Sequence, residues 1–333
     1  MDATNGVHAS LLAMDTHIDI PWPSGPDFFS PGPRHVDLPK LRAGGMGAAF
    51  LAAYVPQGKR DPAGHAAAWE RAAGMLGVIG GLGREGAVLC RNSANIRAAR
   101  AAGQIAIVPA VENGYAIGEQ PQRLAELRAM GATYLTITHN GHNALADSAI
   151  PRTDLGDGSA EHGGLSALGR EAIAVLNRVG MLADIAHTSK ATMLQTAALS
   201  KSPVVATHSC IRALCDHARN LDDEQLDAMR DCGGVVQITA VPSFLKSGGT
   251  AETVTLADFC DHIDYAVKRI GIHHVGISSD FDGGGGFVGW QHIGESPNVT
   301  EALLARGYDP AAIALLWGGN FLRCMERAEA LAT

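Results

Sequence analysis

Three ionisable residues alternate with others near the start of the chain, in the stretch MDTHIDIP that runs from Met14 to Pro21. Asp15, His17 and Asp19 occupy every second position, so in a β-strand their side chains point to the same side. An apolar run precedes them, which indicates a buried strand. Burying charged side chains is costly unless an opposite charge or a metal ion pairs with them. A bound metal ion would meet that requirement.

Histidines and carboxylates recur after other short, β-prone segments. They are Glu112, His139, His187, His208, Asp280 and Asp282. An isolated histidine is more often a hydrogen-bonded structural residue than a ligand, but recurrence at one structural position would need several coincidences. Imidazole and carboxylate groups are the usual zinc ligands. A ligand set of three histidines and two carboxylates is too large for one tetrahedral metal site with an open position. Such a set suits two metal ions that share a bridging carboxylate.

The segments that would position these residues alternate between strand and helix. Eight strands are predicted, at Leu11–His17, Ala48–Tyr54, Ile105–Val111, Tyr134–Thr138, Met181–Ala186, Val204–Thr207, Val235–Thr239 and Val275–Ser279. Helices are predicted at Gly64–Ile79, Gln120–Met130, Ser166–Val179, Lys190–Ala198, Asp222–Asp231 and Leu256–Ile270. Ser166, Ser189 and Asp222 are plausible N-caps because each precedes a helical pattern.

This alternation predicts an α/β fold, a (β/α)8 TIM-type barrel, because apolar strands between helices form a parallel sheet covered on both faces. An open, doubly wound sheet is the alternative, although no GxGxxG motif follows the first strand. The carboxyl ends of barrel strands meet at one rim, where barrel enzymes keep their active sites. We expect a single domain over residues 1–333, with a helical extension from about residue 300 to 333 packed on the outside.

Composition excludes several classes of partner. The chain has 333 residues and a net charge of −8, which argues against nucleic acid and against an anionic membrane surface. The N-terminal stretch lacks the basic and apolar regions of a signal peptide, and no apolar run reaches the length of about 18 residues typical of a membrane span. We therefore expect a cytoplasmic protein whose six cysteines, which form no CxxC pair, are reduced thiols.

The motifs together resemble those of the membrane dipeptidase family, also called renal dipeptidases, within the amidohydrolase-like metallo-barrels. The segments that carry the resemblance are DTHIDIP, VENG, LTITHNGHN, DIAHTSKATM, PVVATHSC, ARNLDDEQL, VGISSDFDG and GGNFLR. The resemblance implies a metallo-dependent hydrolase architecture, two zinc ions (Zn2+) per chain and a homodimer. It also implies hydrolysis of L-Xaa-L-Xaa or L-Xaa-D-Xaa dipeptides by a hydroxide that bridges the two ions.

The resemblance assigns a metal-binding role to five residues. His17 and Asp19 would bind one zinc ion. His187 and His208 would bind the other, and Glu112 would bridge both. Asp15 would orient His17 from the next layer of residues.

Three further residues would act on the substrate by the same resemblance. His139 would hydrogen-bond the scissile carbonyl as its oxyanion forms. Arg219 would bind the C-terminal carboxylate, a role that suits a planar bidentate donor. Asp280 would take a proton from the attacking water, pass it to the leaving amine and help to hold the substrate's amino group.

Two alternatives to a dipeptidase stay open. One is another amidohydrolase-type reaction, such as N-acyl amino acid deacylation or hydrolysis of a lactone or phosphoester. Arg219 separates this alternative, because it implies a substrate carboxylate. The other is a non-catalytic metal-binding barrel, for which neither His139 nor Asp280 would be needed. The sequence leaves open the preferred dipeptide, the stereochemistry at its second residue, the native metal, the oligomeric state and the pathway.

Overall fold

A computed structural model describes residues 3–333, and within that range nine parallel strands form one sheet. The strands are β1 (Ala13–Asp19), β2 (Met46–Tyr54), β3 (Ala87–Leu89), β4 (Ile105–Glu112), β5 (Tyr134–Thr136), β6 (Leu182–Asp184), β7 (Val205–Ser209), β8 (Val235–Ile238) and β9 (Val275–Ile277). Eight of them follow the order β1-β2-β4-β5-β6-β7-β8-β9, and β3 pairs only with β4.

Backbone hydrogen bonds join β1 to the segment that follows β9. The Asp19 N–H donates to the Phe281 carbonyl at 3.0 Å, and the Asp280 N–H donates to the His17 carbonyl at 3.1 Å. The sheet therefore curls into a nearly closed barrel, and the predicted (β/α)8 fold is confirmed.

Helices cover the outside of the sheet. Within residues 3–333 they are α1 (Ala3–Ser10), α2 (Leu38–Ala43), α3 (Pro62–Gly80), α4 (Ser93–Ala101), α5 (Arg123–Ala129), α6 (Ala167–Val179), α7 (Lys190–Leu199), α8 (Asp223–Asp231), α9 (Pro242–Leu245), α10 (Leu256–Ile270), α11 (Ser296–Ala305), α12 (Pro310–Ala314) and α13 (Asn320–Glu329). The three predicted N-caps are confirmed, because the side chains of Ser166, Ser189 and Asp222 each accept a backbone N–H from the first turn. None of the described helices combines the length and apolar character needed to cross a membrane.

Several short elements were not predicted. Strand β3 has three residues and helices α1, α2 and α9 have four to eight, too few turns or alternations for a clear periodic pattern. The first strand also runs later than predicted, ending at Asp19 rather than at His17. Both residues therefore lie on the strand itself, which fixes their backbone in the barrel wall.

Within the C-terminal extension, which the sequence predicted to pack on the outside, α13 lies across the amino-terminal end of the barrel. A π-helical turn, Leu315–Gly319, leads into α13. The Phe321 ring lies 5.1 Å from the Phe50 ring and 6.5 Å from the Tyr134 ring, all three buried. The Asn320 amide donates to the Val275 carbonyl at the start of β9 and to the Ile272 carbonyl three residues before it. An apolar plug thus fills this end of the barrel, and a ligand has to enter at the carboxyl rim.

Candidate active site

The carboxyl-terminal rim of the barrel holds a cavity of about 320 Å³. Seven of the eight predicted site residues line it: Asp19, Glu112, His139, His187, His208, Arg219 and Asp280. The eighth, His17, is fully buried beneath them. Its Nε2 lies 3.5 Å from a Glu112 oxygen, 3.8 Å from an Asp19 oxygen and 4.0 Å from an Asp280 oxygen. The structure therefore brings all eight residues together.

Glu112, the last residue of β4, lies between the His17 ring on one side and the His187 and His208 rings on the other. Its Oε2 lies 3.5 Å from the His17 Nε2. Its Oε1 faces the opposite group, 3.2 Å from the His187 Nε2 and 3.5 Å from the His208 Nε2. Each oxygen thus serves a different set of neighbours, which is the arrangement that a carboxylate bridging two cations requires.

A tyrosine sets the protonation of the His17 ring. The Tyr134 hydroxyl donates its single proton to the Thr16 carbonyl at 2.9 Å. It can therefore only accept from the His17 Nδ1, which lies 2.9 Å away. With one proton held on Nδ1, Nε2 is the nitrogen that is bare when the ring is neutral, and it faces the carboxylates. That is the form in which imidazole binds a metal.

The other two imidazoles are held in the same way. The Thr207 hydroxyl donates to Asp184 at 2.7 Å and accepts from the His208 Nδ1 at 2.9 Å. The His187 Nδ1 donates to the Asn140 side-chain oxygen at 3.0 Å. All three rings consequently turn Nε2 toward Glu112.

The sequence reasoning missed these supporting residues. Tyrosine and threonine are common in strands, so Tyr134 and Thr207 look like ordinary β-formers. Asp184, a fully buried carboxylate inside the apolar segment MLADIAH, was the signal available. It is not itself a metal ligand, since its oxygens already accept from two threonine hydroxyls and two backbone N–H groups.

Asp15 contacts His17 through the backbone N–H, and no hydrogen bond from Asp15 to the ring is found among the described residues. Its carboxylate accepts the His17 backbone N–H at 3.3 Å and the Ser279 N–H at 3.1 Å. It thereby ties β1 to the end of β9. Burial raises the pKa of Asp15 to about 6, and the hydrogen bonds from Ser279 oppose that rise.

The buried carboxylates at the rim favour the binding of a cation. Burial alone would lower the pKa of His17, but Glu112, Asp280 and Asp19 outweigh it and raise that pKa to about 10. Burial and repulsion from Glu112 also raise the pKa of Asp19 well above its usual value. The His17 Nε2 and one Asp19 oxygen are buried and find no hydrogen-bond partner among the described residues. Imidazole nitrogens and carboxylate oxygens left bare in this way fit a divalent metal.

Burial keeps the remaining imidazoles neutral. It lowers the pKa of His187 and His208 well below the usual value, and it lowers that of His139 to about 4. The His139 ring packs against the His187 ring with 4.0 Å between centroids. A neutral His139 at the cavity wall can donate a hydrogen bond without carrying a charge.

Arg219 is the buried cation of the cavity. Its Nη2 donates to the His208 carbonyl at 3.2 Å, and Phe244 covers the guanidinium at 5.4 Å. Its Nε finds no partner in the part of the chain that the structure describes. Burial lowers the pKa of Arg219 to about 10, so the side chain stays charged at neutral pH. The free donor suits an anionic group of the substrate.

Two rim residues adopt left-handed backbone conformations that are rare outside glycine. The φ angles are 67° for His187 and 58° for Asp280. Such conformations cost about 1–3 kcal/mol each and persist where the surrounding structure over-determines them. Here they turn the two side chains inward, to the cavity.

Asp282 lies outside the cavity, although it follows the same strand as Asp280. Its carboxylate accepts the His35 backbone N–H at 2.8 Å and the Arg34 Nε at 3.2 Å. Arg34 also donates to the Asp19 carbonyl at 3.1 Å. Asp282 therefore clamps the loop after β1 to the rim and supports Asp19 from behind.

A parallel barrel whose carboxyl rim gathers imidazoles and carboxylates around one cavity defines a metal-dependent hydrolase. The family model described as membrane dipeptidase (peptidase family M19) matches residues 1–333. The chain belongs to this family, as its motifs predicted, and the prediction of a metal-dependent dipeptidase is confirmed with it.

Relatives that are similar in sequence support the assignment. A dipeptidase named aclJ from Aspergillus oryzae is 32% identical over 306 residues, covering 89% of this chain and 71% of that protein. The dipeptidase verJ from Clonostachys rogersoniana is 34% identical over 307 residues, covering 89% and 76%.

Solved structures agree with the sequence relatives. The probable dipeptidase PvdM from Pseudomonas aeruginosa has a TM-score of 0.94 at 30% identity, covering 99% of this chain and 98% of that one. A metallo peptidase from Rhodobacter sphaeroides, liganded with a phosphinate mimic of the dipeptide L-Ala-D-Ala, has a TM-score of 0.83 at 26% identity, covering 96% and 99%.

Proposed function

We propose that this protein hydrolyses L-Xaa-L-Xaa and L-Xaa-D-Xaa dipeptides with two zinc ions bound at the rim. The observation that carries the proposal is the division of Glu112, whose Oε2 faces the His17 Nε2 and whose Oε1 faces the Nε2 atoms of His187 and His208. One bound ion would need only one of these two sides. The Rhodobacter sphaeroides relative, liganded with a mimic of L-Ala-D-Ala, supports a dipeptide substrate and a D-residue at the second position.

Two sets of ligands share Glu112. His17 and Asp19 would hold one ion, His187 and His208 would hold the other, and Glu112 would contribute to both. When bound, zinc would supply an activated water molecule and polarise the peptide carbonyl.

The chain's own residues would do the rest of the chemistry. Burial raises the pKa of Asp280 to about 7, attraction to His17 opposes that rise and repulsion from Glu112 adds to it. Its carboxylate, with one oxygen 4.0 Å from the His17 Nε2, would take a proton from the attacking water and pass it to the leaving amine. The neutral His139 would donate a hydrogen bond to the carbonyl oxygen as negative charge develops on it.

The charges of the cavity match those of a dipeptide with free ends. Arg219 would bind the C-terminal carboxylate, and Asp280 would hold the amino group. An N-acyl amino acid has the carboxylate but not the ammonium, so it would leave Asp280 without the partner that a dipeptide supplies. This argument favours dipeptides over the deacylase alternative.

A dipeptide library with amino acid products identified tests the activity. Zinc-loaded protein should cleave free dipeptides and leave N-acetyl amino acids intact; the reverse preference would favour a deacylase. Arg219→Ala should lose dipeptidase activity, and full retention would contradict the assignment.

Metal analysis tests the centre separately. The wild-type chain should bind two zinc ions, and both Asp19→Ala and His187→Ala should lose about one. Asp216→Ala, at an exposed carboxylate outside the cavity, is the matched control and should keep both. One ion per wild-type chain would contradict the binuclear proposal. The homodimer and the cytoplasmic location stay predictions, and light scattering on the purified protein tests the first.

A further inference from the structure

We propose that an apolar groove next to the active site receives the side chain of the substrate's amino-terminal residue, so that bulky apolar residues are accepted there. The groove has a volume of about 500 Å³ and is lined by His35 and by residues 241–243, 249–251 and 284–286. The inference rests on the proposed function, because it takes a dipeptide as the occupant of the neighbouring cavity.

The groove adjoins the active-site cavity. Val241 and Gly284 line both of them. The residues that line the groove include no Asp, Glu, Lys or Arg. A substrate side chain that extends from the cavity at this point therefore contacts a surface without carboxylate, ammonium or guanidinium groups. Such a surface favours an apolar side chain over a charged one.

The charge distribution decides which end of the dipeptide lies at the groove. Gly283 borders the carboxylates: a methyl group on its Cα would lie 2.5 Å from an Asp280 oxygen and 2.9 Å from an Asp19 oxygen. The next residue, Gly284, is the junction with the groove. Arg219 lines the cavity but not the groove. The substrate's ammonium group, held by the carboxylates, is thus the end beside the groove, and the side chain nearest to it is that of the first residue.

Backbone geometry keeps this wall of the groove bare. At Gly285 a Cβ atom would lie 1.9 Å from the Ser279 carbonyl oxygen, and at Gly284 the φ angle is +148°. Neither position accepts a side chain without moving the main chain. On the opposite wall, Ser243 and Ala251 are small and exposed. The glycines therefore keep one wall of the groove free of side chains. Ser243 and Ala251 are the two positions at which a larger side chain can reduce its volume.

Filling the groove tests the proposal. Ala251→Trp and Ser243→Trp each place an indole in it, and Ser247→Trp, an exposed position in the same loop that does not line the groove, is the matched control. The measured quantity is a ratio of kcat/KM values on the zinc-loaded enzyme. The ratio for Phe-Gly over Ala-Gly reports on the first residue, and the ratio for Gly-Phe over Gly-Ala reports on the second.

Both groove variants should lower the first-residue ratio by about tenfold or more, the order expected when a phenyl ring loses its buried surface. They should keep the second-residue ratio, and Ser247→Trp should keep both. Thermal unfolding of each variant identifies those that are folded. The two groove variants change different lining residues, so one of them still tests the proposal if the other does not fold.

Two results would overturn the proposal. One is an unchanged first-residue ratio in a folded groove variant; the other is a fall in the second-residue ratio instead. In both cases the wild-type enzyme still cleaves dipeptides, so the proposed function survives. If the zinc-loaded wild type cleaves none of the four dipeptides, the proposed function fails and the groove loses its occupant with it.

Discussion

Replacing Tyr134 with Phe removes one hydroxyl from beneath the candidate metal centre and little else. The ring keeps its neighbours Phe50 and Phe321. The His17 Nδ1–H loses its 2.9 Å acceptor and retains only the Thr207 hydroxyl at 3.3 Å. Nothing then holds the His17 proton and ring orientation firmly, so Nε2 is presented to the metal for a smaller fraction of the time.

Loss of such a partner typically weakens metal binding 10- to 100-fold, or about 1.4–2.7 kcal/mol. We expect Tyr134→Phe to lie within this range for the ion held by His17 and Asp19, because one weaker contact remains. The ion held by His187 should be affected less, since the partner of that ring is Asn140. Competition with a chromophoric zinc chelator resolves the two binding steps.

The matched control is Tyr308→Phe, which removes a hydroxyl bonded to Asp264 on the helical surface. It should leave both zinc affinities unchanged. Urea unfolding of the metal-free proteins measures the purely structural cost. If Tyr134→Phe lowers metal-free stability while both zinc affinities stay at the wild-type values, the hydroxyl supports the fold only and our reasoning about the tautomer is refuted.

Three further outcomes follow from the structure. Thr207→Val should weaken the binding of both zinc ions, because the Thr207 hydroxyl contacts the Nδ1 of His208 and of His17. Thr207→Ser should keep both affinities, and chelator competition measures them. Arg219→Lys should raise KM for dipeptides about tenfold or more, because an ammonium cannot replace a bidentate donor; steady-state kinetics would contradict this if KM were unchanged. Phe321→Ala should cost about 3–5 kcal/mol of unfolding free energy by leaving a cavity in the barrel, and a loss under 1 kcal/mol in urea titration would argue against the plug.

Much of the site could be predicted because barrel topology converts sequence position into spatial position. His17, Glu112, His187 and His208 each sit at or near the carboxyl end of a strand, and those ends converge whatever the loops between them do. The sequence therefore predicted which residues meet. It left open how Glu112 divides its two oxygens, because that depends on side-chain orientation.

The supporting residues and the plug could not be predicted for different reasons. Tyr134 acts through a hydroxyl on an otherwise ordinary strand residue, and hydrogen-bond direction is a property of three-dimensional neighbours. The amphipathic pattern around Phe321 predicts a helix with one buried face but does not say which surface that face covers. Asp282 follows its strand just as Asp280 does, and only the path of the loop that carries Arg34 makes it a clamp.

The seal that α13 forms across the lower end of the barrel has a consequence for turnover. Substrate and products share one opening. Both amino acids released by hydrolysis must leave by the opening that admits the next dipeptide. In the proposed binding mode, the product whose carboxylate lies beside Arg219 would compete directly with incoming substrate. Accumulating amino acids should therefore slow the enzyme as competitive inhibitors.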